Sequence, residues 1–467
     1  MIYDVAIIGG GVIGCAILNK LTRIGKKCVL LEKGSDVSVG TTKANSGIVH
    51  AGFDAKPNTL KAILNVKGAK LFPGLCKELD VPFKQNGALV IGNDMSVVNS
   101  LYERGLQNGV QGLKVLDRQA VLEKVPSITD NITCGLYAET SAIVSPYEFA
   151  IALAEESVIN GAQVVLNFTL SDFKKASEGY SLSDGTNQII AKKIVVAVGG
   201  AHNEVAEILN ATKYDLKYRR GEYYLLDKGA MDIGGYTIFP LPTKDSKGVL
   251  ISATTSGNII VGPTSIPSET DSTITTKYGL DDIASKANSM LSNVNLRKNI
   301  RVFSGVRTLV GDDFVIEKDS KNSDIINVTG ICSPGLSASP AIAEYVLDLL
   351  GFENKEVVIK KLEPKIRTQY LSSNEINKLI AKEPRYGKIV CRCEGITEME
   401  IINAINSPLK PTSVDAIKRR TRAGMGRCQG GFCFLKVMEL LAKEHNIKID
   451  DITKENQNSR IIVGDIR

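Results

Sequence analysis

The first 32 residues constrain this chain more than any other stretch. Residues 3–8 (YDVAII) read as a short buried strand, and they run straight into GGGVIG, where Gly9, Gly11 and Gly14 fit G-x-G-x-x-G. An apolar helical pattern follows in Ile17, Leu18, Leu21 and Ile24, with Gly25 placed to end the helix. A second strand, KCVLLE, closes at Glu32, 18 residues after Gly14. Strand, glycine turn, helix, strand and acid in that order predict a dinucleotide site in an α/β fold. Gly9 allows the tight turn, Gly11 lets the backbone approach a pyrophosphate, and Gly14 lets helix and strand pack closely. The helix N-terminus offers N–H groups and a positive dipole end to the phosphates. Glu32 is placed to accept a ribose hydroxyl.

Which dinucleotide is a separate question. After Glu32 comes GTTKANSGIVHAGF, polar and Gly-rich, unlike the continuation of a nicotinamide fold. Near residue 330, NVTGICSPGLSASPAIAEYVLDLL reads as strand, Gly/Ser/Pro turn and helix. That is a second helix N-terminus able to meet an electron-rich group. A reduced flavin needs such a dipole at its N1–C2=O edge, so the pattern favours FAD. Other helices are expected over 57–78, with Leu60, Ile63, Leu64 and Leu71 on one side, and over 145–160, with Ser145 as cap before Pro146. Between about 211 and 300, short alternating runs such as EYYLLD, VLISAT and NIIVG predict an antiparallel sheet.

The 57 Lys and Arg against 51 Asp and Glu leave a net charge of +6 over 467 residues, too weak a bias to argue for nucleic acid. No run of 18 apolar residues occurs, and Met1 leads directly into the first strand, so neither a membrane span nor a secretory leader is expected. A reducing, cytoplasmic setting also suits nine cysteines in such a chain. Cys15, Cys28, Cys76, Cys134 and Cys332 are isolated and read as buried small hydrophobes. Cys391, Cys393, Cys428 and Cys433 form C-x-C…C-x-x-x-x-C, and four thiolates in two close pairs suit zinc or an iron–sulfur cluster. The basic run Lys418, Arg419, Arg420, Arg422 and Arg427 just before Cys428 reads as compensation of a cluster's negative charge, a dock for an acidic partner or a plain exposed face. It lacks the stacking aromatics of a nucleic-acid site.

The blocks GGGVIG, NSGIVHAGFDAKPNTLKA, AIVSPYEFAIALAEESVINGA, KIVVAVGGA, RRGEYYLLDK, SGNIIVGPT, FSGVR and SPGLSASPAIA resemble, in order, the D-amino-acid-oxidase-like superfamily of FAD-dependent oxidoreductases over roughly residues 1–350. Within it they are most similar to anaerobic-type glycerol-3-phosphate dehydrogenases and L-2-hydroxyglutarate dehydrogenases. GRCQGGFC and the cysteine spacing resemble the bacterioferritin-associated-ferredoxin-like 2Fe–2S domain. The resemblance implies a Rossmann-like FAD-binding domain, an inserted antiparallel-sheet substrate domain and a small, mostly helical C-terminal 2Fe–2S domain. Expected spans are 1–75, 140–210 and 301–360 for FAD binding, 76–139 and 211–300 for substrate, 361–387 for a linker, 388–450 for the cluster and 451–467 for a tail.

It also implies residue roles. Gly9, Gly11, Gly14, Glu32, Lys33, Thr41, Thr42, Ser46, Gly47, Gly199, Gly335, Leu336 and Ser337 are expected at FAD, and Cys391, Cys393, Cys428 and Cys433 at the cluster. His50 is the expected base, taking a hydroxyl proton while the carbon-bound hydrogen leaves as hydride to flavin N5. Arg307, with Arg220 as second candidate, is expected to hold an anionic group, and Tyr223 is a weaker candidate. Of the other histidines, His202 reads as a helix start and His445 as surface. The implied reaction is oxidation of sn-glycerol 3-phosphate to dihydroxyacetone phosphate. A 2-hydroxy acid such as L-2-hydroxyglutarate is the rival substrate, and a non-catalytic electron-transfer subunit is the reading from another class. The implied partner is an electron-acceptor protein or a quinone-linked subunit, through which any contact with the inner face of the membrane would be peripheral.

Overall fold

A computed structural model describes residues 1–242 and 248–464. The first strand, β1 (Ile2–Ile8), lies in an eight-stranded sheet, followed by α1 (Val12–Arg23) and β2 (Cys28–Leu31). β1 pairs in parallel with β2 on one side and with the strand Gln188–Val196 on the other. That strand pairs in parallel with Ile325–Thr329. Both faces are covered from Val5 onward, which is why β1 is apolar over Val5–Ile8. Val5 and Ile7 pack among α1 and the helices Pro146–Ile159 and Gly335–Leu350, while Ala6 and Ile8 face the opposite core with Phe168 and Leu182. The strand–turn–helix order at Ile325–Leu350 brings a second helix N-terminus to the same end of the sheet as the glycine turn.

The predicted helix over 57–78 runs Leu60–Glu78. Its buried face is Ala62, Leu64, Phe72 and Cys76; Ile63, expected on that face, points to solvent at 55% exposure. The helix expected at 145–160 runs Pro146–Ile159, and Ser145 precedes it without making a side-chain cap bond.

A nine-stranded sheet forms the second layer. Its two longest strands, Leu216–Leu226 and Asn299–Val310, are antiparallel neighbours over almost their whole length. It is mixed rather than purely antiparallel, because Thr237–Pro240 runs parallel to Ala88–Gly92. Residues 301–310, expected in the FAD domain, belong here instead, since their hydrogen-bonding partner is the strand 216–226.

The C-terminal region packs a short hairpin (Ile389–Cys391 with Ile396–Thr397) and the helices Glu398–Ile405, Val414–Thr421 and Phe434–His445 around their own apolar core. His445 ends the last helix, half-buried, with Nε2 3.0 Å from the Pro411 carbonyl. The expected linker 361–387 contains a helix, Ser373–Lys382, closed by a Ser372/Glu375 capping box. Nor is the segment after 450 a free tail: Thr453 bridges Ser413 and Arg460, and Ser35 donates to the Glu455 carbonyl. Residues 465–467 of that expected tail lie outside the described residues. Among the described residues, no helix is long and apolar enough to cross a membrane.

Candidate active site and cluster site

A cavity of about 1240 Å³ runs from the glycine turn across to the mixed sheet. At one end the turn is as tight as the motif predicts. Gly9 adopts φ +107, and a Cβ at Gly14 would stand 1.9 Å from the Gly9 carbonyl oxygen. Gly11 caps α1 and has no side chain to bond it; Thr42 supplies the bond from a distance, its Oγ1 accepting from Val12 N at 2.9 Å. The Glu32 carboxylate is buried and accepts from Gly10 N at 2.6 Å and Gly34 N at 2.7 Å. Burial raises its pKa, and those two N–H groups offset only part of the rise. Lys33, Thr41, Ser46, Gly47, Gly199, Gly335 and Leu336 also line the cavity, and Thr41 Oγ1 donates to the Val306 carbonyl at 2.8 Å.

Ser337 does not reach the cavity. It is fully buried, and its Oγ accepts from His50 N at 2.8 Å and lies 3.3 Å from the Ile48 carbonyl. Its work is to fix the backbone at His50. Asn65 does the same from the helix Leu60–Glu78, its amide bridging the His50 carbonyl and Gly52 N. The His50 ring lies 5.8 Å from Phe239 in the cavity wall. Tyr223 stacks on Phe303 at 4.7 Å, and burial pushes its phenol above the ordinary value, so it stays neutral. Arg307 lines the same region and donates from Nη2 to the Thr264 carbonyl at 3.0 Å.

Arg220 is placed elsewhere. Arg307 is registered opposite Arg219, so the period-2 alternation of the strand turns Arg220 to the other face of the sheet. There its Nε holds the fully buried Glu222 carboxylate at 3.0 Å, which Thr276 N also reaches at 2.9 Å. His202 begins the helix His202–Ile208, fully buried, with Nε2 3.3 Å from the Thr212 carbonyl. Cys332, read as buried, is only half-buried and lines the cavity; the other four isolated thiols are buried.

The four C-terminal cysteines come together as two pairs. Cys393 and Cys428 have Sγ atoms 3.7 Å apart, and the Cys433 thiol donates to Cys391, lowering Cys391 to about 6. Two thiolates on one tetrahedral centre with metal–sulfur bonds of about 2.3 Å sit roughly 3.8 Å apart, so the first pair has a chelating separation. Among the described residues, no three His, Cys, Asp or Glu side chains gather for a single ion. Two pairs are what a two-iron centre needs.

The basic run splits: Arg427, beside Cys428, is exposed, while Arg419 and Arg420 turn away from solvent into the interface with the N-terminal part of the chain. Arg419 and Arg420 are buried, and both hold the Asp36 carboxylate, with Nη2 of Arg419 at 3.0 Å and Nη1 of Arg420 at 2.8 Å. Arg420 also reaches Glu155 at 3.1 Å and Arg419 reaches Glu455 at 2.6 Å. Burial would raise the Asp36 carboxyl, but the two guanidiniums overcome it and hold the group below its ordinary value. Arg422 pairs with Glu394, next to Cys393, and Arg427 pairs with Asp227. Asp36, Glu155 and Glu455 carried no signal in the sequence, because their partners lie hundreds of residues away in the chain or beyond the expected end of the domain.

A family model described as FAD dependent oxidoreductase matches residues 4–349, and one described as BFD-like 2Fe-2S binding domain matches residues 389–443. The chain belongs to the FAD dependent oxidoreductase family. This oxidoreductase is 43% identical to a glycerol 3-phosphate dehydrogenase of Caloramator mitchellensis, over 99% of this chain and 98% of that one. It is 32% identical to the mitochondrial L-2-hydroxyglutarate dehydrogenase of Pongo abelii, over 56% and 67%. Among solved structures it is similar to dithionite-reduced L-alpha-glycerophosphate oxidase from Mycoplasma pneumoniae with FAD bound, with TM-score 0.72 and 27% identity, over 78% of this chain and 97% of that one.

The oxidoreductase's cavity fits its cofactor. Ser145, Thr254, Ser304, Thr329 and Arg419 each line it with a buried polar atom that has no protein partner. Such atoms are rare in a folded protein and mark a place where a ligand or water is expected. The glycine turn, Glu32 and Thr42 would hold the nucleotide half of FAD. The helix beginning at Gly335 would face the ring system.

Proposed function

We propose that this oxidoreductase oxidises sn-glycerol 3-phosphate to dihydroxyacetone phosphate and hands the electrons, through its 2Fe–2S domain, to an electron-carrier protein or quinone-linked subunit. The observation that carries this reading is the full-length match to a glycerol 3-phosphate dehydrogenase, which spans both the FAD and the cluster portions. When bound, FAD would supply a two-electron acceptor for the carbon-bound hydrogen, and a 2Fe–2S cluster would supply one-electron transfer. The chain's own residues then have three tasks. Arg307 holds the phosphate with parallel N–H donors, its orientation set by Thr264. A ring nitrogen of His50 accepts the hydroxyl proton, and Ser337 and Asn65 keep that residue's backbone from drifting. Phe239, Tyr223 and Phe303 wall the reacting carbon from water.

The L-2-hydroxyglutarate relatives favour a second reading in which Arg307 binds a carboxylate. Anaerobic titration of the visible flavin band separates the two. Glycerol 3-phosphate is expected to bleach it and L-2-hydroxyglutarate to leave it yellow. The reverse pattern overturns the assignment, and a flavin that neither compound bleaches favours an electron-transfer subunit.

A further inference from the structure

We propose that the C-terminal domain is a working part of the FAD site, latched onto the nucleotide-binding loop by Arg419 and Arg420, so that FAD leaves only when this domain undocks. This goes beyond electron relay and rests on the cofactor, not on the substrate.

The first support is the cavity wall. Lys418, Arg419, Arg422, Met425, Lys454 and Glu455, all from the C-terminal region, line the cavity shared with the glycine turn. A ligand filling that space would be covered by them.

The second is where the latch grips. Asp36 lies four residues after Glu32. Glu32 binds Gly10 N and Gly34 N, and Ser38 N donates to the Gly10 carbonyl at 2.8 Å. Asp36 is therefore inside the loop that shapes the nucleotide wall. Its carboxylate takes a two-pronged contact from Arg420, Nη1 to Oδ2 at 2.8 Å and Nη2 to Oδ1 at 3.0 Å, with Arg419 Nη2 added at 3.0 Å. Such fork-like pairs fix orientation as well as distance.

The third is charge. Lys43, Arg419 and Arg420 face Asp36, Glu155 and Glu455, so this ion-paired set, buried at Arg419, Arg420, Asp36 and Glu155, is balanced only when the two domains meet. Separating them would leave unmatched charge on each side, which makes docking close to all-or-none.

The fourth is an unmet donor. Arg419 is 4% exposed, lines the cavity, and its Nε–H has no protein partner although both terminal nitrogens are engaged. A buried N–H of this kind calls for an acceptor, and an anionic dinucleotide in the same cavity supplies one. Arg420 is also only eight residues before Cys428, so one segment carries both the latch and a cluster cysteine.

The test uses the cluster-loaded holoenzyme. FAD release is followed by the recovery of flavin fluorescence after dilution, and undocking by trypsin cleavage within residues 361–387. D36N and R420M alter opposite sides of the interface. Both are expected to speed FAD release about tenfold, the factor expected when a small undocked fraction grows about tenfold, and to speed cleavage in parallel. The inference is overturned if cleavage accelerates while FAD release keeps its wild-type rate, or if neither changes. It is also overturned if D36N sheds FAD and R420M does not, which would place Asp36 in the nucleotide loop alone. Should either variant fail to fold, E455Q, which cuts only the more exposed contacts with Lys43 and Arg419, must move both readouts in the same direction.

Discussion

Replacing Arg307 by Met tests how the substrate is held. Arg307 spends one donor on the Thr264 carbonyl, which aims the guanidinium, and lines the cavity with the rest of the group. Two hydrogen bonds to a charged oxygen are each worth about 1.5–3 kcal/mol. Their loss therefore costs at least about 3 kcal/mol, or roughly a 150-fold fall in kcat/KM at about 1.4 kcal/mol per tenfold. The phosphate is remote from the reacting carbon, so these bonds exist equally in ground and transition states. The fall is then expected in KM, with kcat nearly unchanged. Arg307→Lys keeps the charge but not the fork, and roughly a tenfold loss is expected. Arg220→Met is the internal control. Arg220 faces away from the cavity and neutralises buried Glu222, so its loss is expected to lower stability by about 3–5 kcal/mol and leave KM alone. Steady-state kinetics with an artificial acceptor, corrected for FAD content, reads all three. An R307M enzyme with KM within twofold of wild type refutes the reasoning, and so does a raised KM in R220M.

Three further outcomes follow from the same geometry. Gly14→Ala places a methyl 1.9 Å from the Gly9 carbonyl oxygen, so the purified variant is expected to carry little FAD; full flavin occupancy contradicts the tight-turn account. Cys393→Ser is expected to abolish the cluster's visible absorption while glycerol 3-phosphate still bleaches the flavin without oxygen, and loss of bleaching would contradict separate sites for the two steps. Asp36 and Glu455 are held below their ordinary values of 3.8 and 4.5, so their contribution to docking is complete above about pH 4.5 and is lost as pH falls through the folded-state values. FAD release, followed by flavin fluorescence at each pH, is accordingly expected to stay flat from pH 7 to 5 and to rise below 4; a rise near pH 6 contradicts this assignment.

The sequence disclosed what short-range chemistry encodes. The turn at Gly9–Gly14 and the placing of Glu32 beside it depend on spacing within one or two elements, whereas the cysteines pair across their motif, Cys393 with Cys428 and Cys391 with Cys433. What it concealed depends on pairing between distant segments. Arg220 and Arg307 look equivalent along the chain, yet strand alternation sends them to opposite faces. Ser337 stands on a turn aimed at the flavin, but Ile48 and His50 come close enough to take its hydroxyl. The basic run before Cys428 suggests a partner outside the chain; its partners are Asp36 and Glu155, 384 and 265 positions from Arg420. A helix pattern alone placed Ile63 inward, where no element packs on that side.

On the proposed function, electrons taken as a pair from an alcohol are expected to leave singly through the cluster of the same polypeptide. Electron paramagnetic resonance after anaerobic addition of sn-glycerol 3-phosphate measures this directly. A reduced 2Fe–2S signal is expected in the FAD-loaded protein and none in FAD-stripped protein. A bleached flavin beside a cluster that stays oxidised would contradict it.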